Sequence, residues 1–146
     1  MSLLDFKLKL SDGFINCHAH IDRAGTMKFT NKDHMKKHLQ EKWRLVNEVK
    51  QTLSQHSYYE NILASCLKQK EFNTNTIISF IDLDSTIHSK ALLGAVRAKE
   101  ELKAHGVSLH IGNQTVGGFT ADNLKLFEDN IEHLDFLGGL PKSDEN

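Results

Sequence analysis

Residues 13–22 read GFINCHAHID. The apolar start follows a Ser-Asp-Gly turn signal, so Gly13–His18 is expected to be a strand. Residues two apart on a strand face the same side. His18 and His20 can therefore be directed at one ion, and neutral imidazole is a common zinc or iron ligand. Asp22 follows at the same parity and is expected to bind metal, orient an imidazole or contact substrate. Cys17, at opposite parity, is expected to face the helices as a small packing residue.

Outward from this stretch, strand and helix patterns alternate. Met35, Leu39, Trp43, Val46, Val49 and Leu53 recur at helical steps from about Asn31. A second helix is expected over Ser57–Phe72. Thr76–Leu83 (TIISFIDL) reads as a buried strand. Ser85 or Thr86 can cap a third helix that runs to about His105 and stops at Gly106. Val107–Gly112 is a third strand. Thr120 can cap a fourth helix, and Leu134–Leu140 is a fourth strand ended by Pro141. Strands separated by helices favour a parallel sheet with right-handed crossovers.

The 146 residues suit one domain. A complete (β/α)8 barrel needs roughly 250 residues. The expected fold class is therefore α/β: a partial TIM-type barrel of four parallel strands, with residues 1–146 forming one incomplete domain. The charge of -1 gives no basic field for nucleic acid. No apolar run is long enough to span a bilayer, and no signal-peptide core opens the sequence, so a cytoplasmic location without membrane contact is expected. Cys17 and Cys66 lack metal-finger and redox spacing.

FINCHAHID resembles the metal-binding start of the amidohydrolase superfamily, and its HxHxD form resembles the cytosine-deaminase-like branch. IISFIDLDS, LHIGNQTVGGF and LDFLGGLP resemble that family's second, third and fourth barrel strands, in order. The resemblance covers nearly the whole chain but only the front half of the family domain. It implies a barrel that hydrolyses C–N bonds with a divalent metal, zinc or iron, with His18 and His20 as ligands. The further ligands would come from later strands that this sequence does not contain. Gln114 and Asn113, in the loop after the third strand, are candidates to bind a small-molecule substrate. Asp82 and Asp84 are expected either to cap a helix in solvent or to support the histidines from behind. Lys142, in a position near the bridging lysine of binuclear relatives, reads as solvated. The remaining histidines lie along helices or, at His110, on either face of the third strand. Alternative readings are a related-barrel metal-dependent deoxyribonuclease, and a non-catalytic half-barrel acting as an interaction module or fragment. A missing C-terminal half or a second copy is the expected partner.

Overall fold

The computed structural model describes residues 13–26, 36 and 38–139. Among these residues the architecture is mixed α/β, with a three-stranded parallel sheet and four helices. In chain order these are β1 (Phe14–Ala19), α1 (Leu39–Thr52), α2 (Gln55–Glu71), β2 (Thr74–Asp82), α3 (Lys90–Ala104), β3 (Ser108–Gln114) and α4 (Ala121–Glu128). Short 3-10 turns occupy Ile21–Arg23 and Ile131–His133. The strand order is β1-β2-β3, and both pairings are parallel. Met35 and Lys142 lie outside the described residues, as does the Trp43 side chain.

Alternation along β2 divides the sheet into two faces. Ile77, Ser79 and Ile81 are fully buried with Leu109 and Ile111 of β3, in a core completed by Tyr58, Ile62 and Cys66 of α2 and by Leu92, Ala95 and Leu102 of α3. Ile78 and Phe80 of the opposite parity are only half-buried, and His110, their counterpart on β3, is exposed. Ser54 caps α2 by accepting the Ser57 N–H, and Thr120 caps α4 by accepting the Asn123 N–H. Gly106, at φ +65°, turns the chain from α3 towards β3 in a conformation that favours glycine.

Three expectations are corrected. The third helix begins at Lys90, not at Ser85 or Thr86. The Asp84 carboxylate accepts the Thr86 and Ile87 N–H groups, and His88 has φ +54°, so residues 84–88 close as a turn before the helix starts. The fourth strand over Leu134–Leu140 is not formed among the described residues. Its segment meets β3 through a single parallel bridge, Gly112 to Phe136. Asp135 anchors that contact, because its N–H donates to Ile111 O and its carboxylate accepts the Ile111 N–H at 2.7 Å.

The third correction concerns Cys17. In β1, Asn16 pairs with Ile77 and Ala19 with Ser79, so two residues of β1 stand opposite Ile78 alone. This is a β-bulge, which breaks simple alternation. Asn16 reaches α2 through a 2.8 Å hydrogen bond to Gln69, and Ala19 packs on the core. Cys17 is left exposed instead of packed under the helices.

Candidate functional site

The bulge sends both histidines to the open face. The His18 and His20 ring centres are 5.2 Å apart, and they lie 5.0 and 5.9 Å from the Phe80 ring. Phe136 meets Phe80 edge-on at 5.3 Å and lies over Gly112, where any Cβ would strike its ring. The two imidazoles thus stand at the carboxyl end of β1, beside an aromatic floor supplied by β2 and the segment after α4.

His20 is half-buried, and its Nδ1 has no hydrogen-bond partner among the described residues. Burial, reinforced by the Arg23 guanidinium, holds its pKa below 6.5, against the opposing pull of Asp22 and a hydrogen bond with Gln114. The shift favours the neutral ring, the state that a metal ligand requires.

The chain leaves β1 after Ala19 and turns through Ile21–Arg23, so strand alternation does not carry through to Asp22. Asp22 is fully buried. One carboxylate oxygen accepts the Asp82 N–H at 3.2 Å, and the other has no hydrogen-bond partner among the described residues. Burial pushes its pKa up, while the charges of Lys50 and Arg23 pull it down. Asp82, at the end of β2, is also fully buried. It forms an ion pair with Lys50 and a second, at 3.5 Å, with Arg23. Asp82 is thus not a solvated helix cap, since the rim of the sheet encloses it. Asp84 is 8% exposed and serves the turn that precedes α3.

At the end of β3, Gln114 pairs with Asp82 in register and accepts a 3.4 Å hydrogen bond from Arg23. It is half-buried, on the rim beside His20. Asn113 points elsewhere. It is fully buried, accepts the Gly138 N–H at 2.9 Å and donates to Thr115 at 3.3 Å. Its amide therefore holds the segment after α4 in place. His20, Asp82 and Gln114, far apart in sequence, thus gather at one rim.

Two members of this rim, Arg23 and Lys50, were not singled out from the sequence. Arg23 spans Asp82 and Gln114. Lys50 is 3% exposed near the end of α1. It lies four residues after Val46 and three before Leu53, on the apolar stripe of the helix, and a charge on that stripe was the available signal.

The donor set can be tested against a metal. An ion held about 2.1 Å from one nitrogen of each ring places the ring centres roughly 5 Å apart, as the two histidines are. Two imidazoles do not complete a tetrahedral site. Among the described residues, no group of three or more His, Cys, Asp or Glu could hold an ion. The residues present fit part of a coordination sphere and need further ligands to close it.

No family model matches the chain. It is 36% identical over 135 residues to an uncharacterized protein of Haemophilus influenzae, a match that covers 91% of this chain and 49% of that protein. The chain thus spans about half the length of this curated relative. Among solved structures it is similar to N-isopropylammelide isopropylaminohydrolase from Burkholderia multivorans, with a TM-score of 0.64 and 19% identity over 87% of this chain and 32% of that one. The described residues therefore share the fold of part of a hydrolase.

Proposed function

We propose that this chain is the front portion of a (β/α)8 barrel of amidohydrolase type, deaminase-like in its motif, that hydrolyses a C–N bond of a cyclic amide or nucleobase-like small molecule. The observation that carries the reading is the pair His18 and His20, on one face and at the carboxyl rim of a parallel sheet in sequential order. That rim is where (β/α)8 barrels bear their catalytic groups. A doubly wound sheet would instead place its first strand inside the sheet, whereas among the described residues β1 is at the edge. The Burkholderia hydrolase supports the same architecture.

In this reading His18 and His20 hold a divalent ion, zinc or iron, together with ligands from a C-terminal half or a second copy. When bound, such an ion lowers the pKa of a water molecule and supplies hydroxide to an sp2 carbon. Asp22 acts from beneath, fixing the turn that follows His20. Gln114 offers its amide to a polar edge of the substrate, and Phe80 and Phe136 supply an apolar surface beside it.

Titration of the purified chain with Zn2+ or Co2+ tests the metal assignment. Weak binding is expected, and His18→Ala or His20→Ala should each abolish it. Turnover is expected only once the remaining ligands are supplied. Metal content unchanged in both variants would reject the reading.

A further inference from the structure

We propose that Lys50 is a positioning residue for the candidate metal centre: reaching in from α1, it locks the turn that carries His20 by pairing with Asp82. The Lys50–Asp82 ion pair is almost wholly enclosed, with Lys50 at 3% and Asp82 at 0% exposure. Burying two charges is costly, and a lone buried charge costs more than a matched pair. The pair is also wired to the turn at two points. The Asp82 N–H donates to the Asp22 carboxylate, and the second Asp82 oxygen accepts Arg23. The Arg23 N–H in turn donates to the His20 carbonyl at 3.1 Å. The backbone of His20 is thus tied through Arg23 and Asp82 to an ammonium on a helix 30 residues away in sequence. Arg23 also holds Gln114, so the same lock sets the amide proposed to meet the substrate.

α1 is itself fastened where Lys50 needs it. The Tyr58 hydroxyl donates to the Lys50 carbonyl at 3.0 Å, and Leu53 is buried one turn on. Lys50 therefore does not drift with a loose helix end.

The inference deepens the metal reading, and its test separates the two. Lys50→Met, Lys50→Arg, Asp82→Asn and the double variant Lys50→Met/Asp82→Asn are compared with the unaltered chain by urea denaturation and by the NMR signal of the His20 ring, assigned through His20→Gln. Lys50→Met should lower the unfolding midpoint, and adding Asp82→Asn should recover part of that loss, because the second change removes one of the two buried carboxylates, Asp82 and Asp22, that Lys50 faces. The His20 ring signal should move in Lys50→Met, stay displaced in the double variant and return towards its original position in Lys50→Arg. Zn2+ affinity should fall about 10–100-fold in Lys50→Met. Additive effects of Lys50→Met and Asp82→Asn on the midpoint would overturn the proposal, as would an unmoved His20 signal in a folded Lys50→Met. If the unaltered chain binds no zinc while coupling and the His20 shift are both present, the lock stands and the metal reading falls. If Lys50→Met alone does not fold, the double variant still reads the His20 position.

Discussion

At the scale of single residues, His20 and the two cysteines show how placement sets chemistry. Folding holds the His20 pKa below 6.5, so the folded state binds fewer protons than the unfolded chain as the pH falls through that value. The stability linked to His20 is complete above its ordinary pKa and is lost on acidification. Stability measured between about pH 7 and pH 5 should fall with acid, and His20→Gln should flatten that fall. An unchanged slope in the variant would assign the acid sensitivity to other groups. Cys66 is buried in the core, and burial pushes its thiol up to about 12. Cys17 is exposed at the bulge. A thiol reagent at about pH 7.5 should therefore modify one cysteine, Cys17, and reach Cys66 only after unfolding. Peptide mapping of the labelled protein checks the assignment.

At the scale of elements, the segment after α4 is held by close approach and not by a strand ladder. A Cβ at Gly138 would lie 2.2 Å from Asn113 O and 2.8 Å from the Phe80 ring, and one at Gly112 would lie 2.2 Å from the Phe136 ring. Gly138→Ala and Gly112→Ala should each destabilise the fold by about 1–3 kcal/mol. Gly117→Ala, where the nearest atom is 3.4 Å away, should have a much smaller effect. Equal unfolding midpoints for all three variants would show that this segment is not seated as described. Asp135 belongs to the same attachment. Although its partial burial works in the opposite direction, its Lys99 partner and the Ile111 N–H lower its pKa. Its contribution is therefore present above the ordinary aspartate value of 3.8 and is lost as the pH falls below that.

At the scale of the whole molecule, the described residues cover the sheet with α2 and α3 on one face and only in part on the other. Phe80 and Ile78 remain half-buried there, and Leu137, just past the bridge to β3, is 67% exposed. On β1, Phe14 and Ile15 are 48% and 64% exposed. Among the described residues no helix is long and apolar enough to cross a membrane. Exposed apolar side chains of this kind favour association. The chain is expected to self-associate or to bind a partner that completes the sheet. Light scattering with intact mass measures this, and a cooperatively melting 16.6 kDa monomer would defeat it.

The order of strands and helices was legible because it rests on local periodicity. TIISFIDL is a strand because Ile77 and Ile81 alternate into a core, and Thr120 caps a helix wherever that helix is placed. His18 and His20 could be paired from spacing alone because both lie near the end of one strand. Local pattern could not show the bulge that exposes Cys17, because it arises from the register of β1 against β2, some 60 residues later. It could not show that Asp82 is enclosed, that Asn113 is committed to Gly138, or that the lysine on the apolar stripe of α1 meets a carboxylate from β2. Each of these depends on which distant groups desolvate one another, and only the packed tertiary structure decides that.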